Sequence, residues 1–347
     1  MGLNKRLIGA GATASGALTP SENFKVITYT GNGGTQSITG VGFKPDFVWI
    51  KDRGATGYHA VHDSTRGATK GLFTNVTNAE YTGLVTSLDT DGFTVNHTKD
   101  GSDNNTTNRD GGDFVAWCWK ANGGTTASGS GTNTTSVTNQ VNSDAGFSIT
   151  TFTGSASAAG NFTHGLGEVP DMYIVKTTSF SDSWFVWHKD LTNTTGYALR
   201  LNTNAAEQNL TGFWNDTAPT STLISLGNGV LVNNATYVAY AFKSIDGFSS
   251  FGSYTGNGSN DGPIVETGFE PAFLMIKDTS EAHSWTIHDN TRDTTNPRKK
   301  YVLPNSYNVE AADLNGINFY SNGFQLLDDY QYYNKSGNTY IYMAFAA

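Results

Sequence analysis

Apolar and polar residues alternate with a period of two along most of this chain, and the alternation comes in three rounds. The clearest segment of each round lies near its end. Val115, Trp117 and Trp119 share one face, matched by Val238, Tyr240 and Phe242, then by Ile341, Met343 and Phe345. The opposite face carries Phe114, Ala116 and Cys118, then Tyr237, Ala239 and Ala241. Such alternation predicts β-strands, and large residues on one face with small ones on the other predict strands covered on both sides. In the first round strands are expected near 24–30, 35–39, 46–51, 57–62, 70–74, 84–88, 92–96 and 113–120. Asn-Gly and Asp-Gly pairs such as Asp91-Gly92 supply the positive φ that tight hairpins need. Sustained helical periodicity is missing. The nearest approach is the short turn Asn75–Glu80, echoed by Asn202–Glu207.

The rounds repeat as whole units. Each opens on an aromatic-Thr-Gly triplet: Tyr29-Thr30-Gly31, Phe152-Thr153-Gly154, Tyr254-Thr255-Gly256. Each continues through a proline into an apolar strand ending in lysine: Pro45 to Lys51, Pro170 to Lys176, Pro271 to Lys277. A spacing of roughly 100 residues is domain-sized rather than solenoid-sized. The expected fold class is therefore all-β, three tandem antiparallel β-sandwich domains of jelly-roll-like kind behind a short N-terminal arm. The boundaries read as an arm over 1–23, repeat 1 over 24–121, repeat 2 over 147–245 and repeat 3 over 246–347. Residues 122–146, rich in Gly, Ser, Thr and Asn, read as a flexible linker that leaves repeat 1 mobile beside a fixed pair.

Composition narrows the partners. With 21 Lys and Arg against 30 Asp and Glu, the net charge of −9 argues against nucleic acid, which needs a basic patch. No apolar run approaches a membrane span, so membrane insertion is not expected. Cys118 is the single cysteine, so neither a disulfide framework nor a thiolate metal site is expected, and no cofactor is implied. The N-terminal Lys5, Arg6, Leu7 and Ile8 form a small basic-apolar cluster, read here as a docking peptide.

Candidate chemistry is sparse. His62-Asp63-Ser-Thr-Arg66 and His288-Asp289-Asn-Thr-Arg292 place an acid beside a histidine, and His188-Lys189 reads as a degraded third copy. Neighbouring strand residues point to opposite faces, so an Asp–Arg pair pinning the following turn explains the motif better than a base with its orienter. No catalytic residue and no metal ligand is assigned. Asp89-Thr-Asp91-Gly92 reads as a hairpin turn, because Thr94 stands where a calcium loop of the EF-hand type needs glycine. Asp100 to Asn105 is a weaker loop candidate for calcium. Trp49, Trp117 and Trp119 sit at strand positions and read as core. Trp214 in a turn-rich stretch, with Trp184 and Trp285, are the aromatic candidates for stacking on sugar rings.

Gly42 to Lys51, His62 to Lys70, Asp91 to Val95 and Phe114 to Lys120, in that order, resemble a repeat of virion proteins in marine tailed bacteriophages, often described as tail fibre or structural proteins. Copy 1 follows the pattern nearly throughout, copy 3 well, and copy 2 departs at His188 to Asn193. The resemblance implies a place on the virion and no enzymatic activity. It leads to the expectation of a tail-fibre or adhesion component contacting host surface glycans, packed against other virion proteins as a homo-oligomer, a trimer above all. A capsid decoration protein and a secreted bacterial carbohydrate-binding adhesin are the alternatives.

Overall fold

A computed structural model describes residues 18–99, 102–103 and 106–347. The chain is all-β, with antiparallel pairing throughout the named strands and one short 3-10 turn, Pro20–Glu22, as the only helical element among the described residues. The expected strands of repeat 1 are present as Phe24–Thr30, Thr35–Thr39, Phe47–Asp52, His59–Asp63, Lys70–Phe73, Tyr81–Asp89, Gly92–Lys99 and Asp113–Trp119. The turn Asn75–Glu80 forms no helix.

The three repeats share one strand order. The opening strand (Phe24–Thr30, Phe147–Gly154, Ser249–Thr255) pairs the closing strand (Asp113–Trp119, Thr236–Phe242, Thr339–Phe345). The closing strand also pairs the lysine strand (Phe47–Asp52, Met172–Thr177, Phe273–Asp278). The lysine strand in turn pairs His59–Asp63, Phe185–His188 or Thr286–Asp289. Register is conserved between copies: Trp119 faces both Phe24 and Phe47, Phe242 both Phe147 and Met172, Phe345 both Ser249 and Phe273.

The repeated glycine has a steric cause. A Cβ on Gly31 would stand 2.3 Å from the Arg109 carbonyl oxygen, on Gly154 2.3 Å from that of Val232, and on Gly256 2.3 Å from that of Lys335. Only glycine lets the loop before the closing strand lie across the end of the opening strand.

Each inner sheet has two apolar faces, as period two requires. The small-residue face packs within its own repeat. In repeat 1, Val48, Ile50, Ala116 and Cys118 meet Ile38, Val85, Phe93 and Val95 from a second layer of strands. Repeats 2 and 3 build corresponding clusters around Trp214 with Phe162, and around Phe319 with Phe324. Cys118 is fully buried there, and burial pushes its thiol up.

The large-residue faces of all three repeats pack on one another in a single central core. It unites Trp117, Trp119 and Phe47 with Ile149, Tyr240 and Phe242, and with Phe273, Met343 and Phe345. Rings cross every boundary: Phe47 to Tyr240 at 4.7 Å, Phe24 to Phe345 at 5.2 Å, and Phe242 to Phe345 at 6.2 Å between centroids. Burial at about 25 cal/mol per Å² of apolar surface, or roughly 1.5–3 kcal/mol for each large side chain, makes this core a principal source of cohesion. The void left among Phe47, Trp49, Tyr240 and Met343 measures about 10 Å³, so the axis is packed and is not a channel.

This arrangement corrects two expectations. The segment 122–146 is not a free linker: Thr134–Asn142 forms a strand paired to Phe147–Gly154, with Ala127–Ser128 beside it. Gln140 donates to Ser64 Oγ at 2.7 Å and Asn142 to Asn23 Oδ1 at 2.9 Å, tying that strand back to repeat 1. Repeat 1 is therefore not a mobile bead, since its inner face is held in the common core.

Candidate functional site

Polar groups gather where the repeats meet, and they do so cyclically. The lysine ending each apolar strand is buried and reaches a backbone carbonyl of another repeat. Lys51 donates to the Tyr307 oxygen at 3.2 Å, Lys176 to that of Thr77 at 3.2 Å, and Lys277 to that of Asn204 at 3.3 Å. Burial pulls their pKa down from the ordinary lysine range, to about 8 for Lys51 and Lys176 and about 7 for Lys277. A second ring of contacts is purely backbone: Glu80 N–H to Thr178 O, Glu207 N–H to Thr279 O, Glu310 N–H to Arg53 O, at 2.9, 3.0 and 2.9 Å.

Trp184 and Trp285 belong to a third ring. The Trp184 indole donates to the Phe73 carbonyl at 2.8 Å and the Trp285 indole to that of Arg200 at 3.1 Å. In repeat 1 the equivalent place is held by His59, buried against the backbone of Leu303 and Ser306, with neither ring nitrogen in hydrogen-bond geometry. Trp184, Trp285 and Trp214 are at most 1 % exposed, which removes them as sugar platforms. Trp214 lies inside repeat 2 with its indole on the Tyr197 carbonyl. Lys5, Arg6, Leu7 and Ile8 lie outside the described residues, as does most of the Asp100 to Asn105 loop.

The His-Asp motif resolves as a seam device. Asp63 accepts from Arg66 Nε at 2.6 Å and from the Arg66 backbone at 2.8 Å, the turn-pinning pair the spacing suggested. It also accepts from Tyr240 Oη of repeat 2 at 2.7 Å. Asp289 repeats this with Arg292 and with the Trp117 indole of repeat 1 at 3.1 Å. His62 points the other way, to Tyr81 Oη and the Ala68 carbonyl, and burial depresses its pKa to about 3. Strand register shows that His188 is the counterpart of Asp63 and Asp289, not of the histidines: Phe47 pairs Asp63, Met172 pairs His188, and Phe273 pairs Asp289. Where the acid is lost, its cross-seam donor is lost too. The closing-strand residue corresponding to Trp117 and Tyr240 is Met343, and Leu191 sits in the core nearby.

The seam between repeats 1 and 2 carries a cleft where the seam between repeats 3 and 1 carries an ion pair. Between repeats 3 and 1, Arg53 crosses to form a two-pronged ion pair with Glu310, at 2.8 and 2.9 Å. Burial alone would push Glu310 up, yet Arg53 and Arg292 hold it below the usual carboxylate range. At the position of Arg53, repeat 2 has Thr178 and repeat 3 has Thr279. Beside Thr178 lies a cleft of about 260 Å³ bordered by Arg66, Glu80, Thr178 and Thr236, with Thr151 and Thr153 on one wall. Ser136 closes the rim from a β-bulge between Thr135 and Thr138, at a φ of +51°, a region few non-glycine residues adopt. No sequence signal marked this cleft, because its members are scattered threonines and two already paired charges.

Asp91 accepts from the Gly40 and Gly42 amides, and Asp89 from Thr94, so that turn is a hairpin device. No group of three or more His, Cys, Asp or Glu suited to a metal occurs among the described residues, and no helix among them is long and apolar enough to cross a membrane.

Fold and seams together define a single-chain all-β protein in which three related units close around a common apolar core. Residues 19–347 match the family model described as Domain of unknown function (DUF7483), and the chain belongs to that family. The match runs as one unit across all three repeats, in keeping with their shared core. No curated protein and no solved structure matches the chain.

Proposed function

We propose that this chain is a surface component of a tailed-phage particle, a tail-fibre or adhesion protein that contacts host surface glycans. The observation that carries the reading is the common core. It makes the chain a rigid hub whose three outward faces share one backbone plan and differ at their rims. Each repeat is read as a small two-layered sandwich, its outer layer free to vary while the inner face stays apolar. A threefold grouping of binding faces raises apparent affinity through effective concentration, which suits attachment to a repetitive surface. The threefold grouping expected of a homotrimer is, in this reading, realised within one chain. Of the arm expected over 1–23, the part before Leu18 serves in this reading as the docking segment to other virion proteins, since Leu18 and Asn23 pack on the fold.

Immunogold electron microscopy of particles tests the location. Label on tail fibres supports the proposal, label on the capsid shell favours a decoration role, and no label on particles overturns both. Sedimentation of the purified chain tests the stoichiometry: the 37.1 kDa species is expected, and a stable trimer would refute an internal threefold as its substitute.

A further inference from the structure

We infer that the cleft between repeats 1 and 2 is a binding site for one neutral sugar ring of a glycan, an inference that rests on the adhesion reading above and gives it a location. The inner faces of the repeat-2 strands explain why a cleft exists there. Along Phe147–Gly154 the inward positions run Phe147, Ile149, Thr151, Thr153, so the face changes from apolar to hydroxyl-bearing as it leaves the core. Tyr240, Val238 and Thr236 make the same change on the neighbouring strand. Opposite them stands the Arg66–Glu80 ion pair of repeat 1, at 2.9 Å.

Three features select the ligand. A volume of about 260 Å³ holds on the order of eight waters at roughly 30 Å³ each, which one pyranose ring can replace. The lining is rich in hydroxyls that both donate and accept, matching the mixed donors and acceptors of a polyol. Charge favours a neutral ring over an acidic one. Arg66 is committed to Asp63, Glu80 and Tyr240, and Glu80 to Arg66 and Lys70, so the charges at the cleft are paired among themselves. The seam between repeats 3 and 1 supplies an internal comparison, since Arg53 stands there at the position of Thr178 and pairs with Glu310.

The test uses the full chain and two closing variants. Thr178→Arg copies Arg53 and is expected to pair with Glu80. Thr151→Trp fills the opposite wall. Thermal unfolding checks that each variant folds. Saturation-transfer NMR with glucose, galactose and mannose, and with glucuronate as the acidic comparator, should show transfer from at least one neutral sugar. Affinity in the millimolar range fits a single ring, and at least a tenfold loss is expected in both variants. Transfer from none of the neutral sugars, transfer unchanged in the folded variants, or preference for glucuronate would overturn the assignment. Binding of host polysaccharide with equal affinity by native chain and variants would overturn the cleft and leave adhesion standing. Absence of polysaccharide binding by the native chain would remove adhesion itself.

Discussion

Replacing Tyr240 by phenylalanine removes one oxygen and leaves the ring that packs on Phe47 at 4.7 Å. The lost hydroxyl is the cross-seam donor to Asp63 Oδ2 at 2.7 Å, and it also accepts weakly from Arg66 at 3.4 Å. Asp63 keeps Arg66, so its charge stays paired, but one acceptor position buried in the seam loses its donor. Hydrogen bonds to charged groups contribute about 1.5–3 kcal/mol, and that range is the expected destabilisation. Met343→Leu occupies the corresponding place at the seam without an acid, and a volume-conserving change of that kind costs less than about 1.5 kcal/mol. Urea unfolding followed by tryptophan fluorescence measures both, with the slope unchanged and only the midpoint moved. A double cycle with Asp63→Asn should return a coupling of about 1 kcal/mol or more. A Tyr240→Phe cost below about 0.5 kcal/mol, or no coupling, would refute the seam bond as a stabilising contact.

The remaining predictions concern the other rings of contacts. Trp184→Phe should destabilise the chain by about 1–3 kcal/mol, because the Phe73 carbonyl loses its donor in a buried site; chemical denaturation reads it. Stability should rise as pH increases from about 7 toward 10, because Lys51, Lys176 and Lys277 titrate near 7–8 when folded, against about 10.4 unfolded, so the unfolded chain binds more protons in that window. The melting temperature followed across that range in one buffer series should climb, and replacing Lys277 by methionine should flatten the climb. Acid acts in the opposite sense. Burial holds His62, His188 and His288 near 3, so stability should fall as pH drops from about 6.5, and His288→Phe should lessen the fall.

Much of the strand plan was legible because alternation reports directly on faces. Val115, Trp117 and Trp119 share one covered face, as their spacing predicts. What covers that face was not legible, since an inner layer of the same repeat and the face of a neighbouring repeat ask for the same apolar residues. That ambiguity turned one body into separate beads. Trp184 and Trp285 carried a usable signal: each stands two residues before a core position, Val186 or Ile287, which puts them on the inner face. His188 misled because a histidine stands near each copy, and only pairing with Met172 shows the one-residue offset. In Thr134–Asn142 the bulge breaks the period, so a strand with a polar composition resembled a linker. The cleft draws its lining from Thr65, Arg66 and Glu80 of repeat 1 and from Thr151, Thr178 and Thr236 of repeat 2, residues that the fold alone brings together.

The central claim is that three repeats form one cooperative body on a common core, and differential scanning calorimetry of the full chain tests it most directly. A single transition is predicted, with van't Hoff and calorimetric enthalpies in agreement, and Trp119→Ala should lower that whole transition. Three separable transitions, only one of them moved by Trp119→Ala, would contradict it.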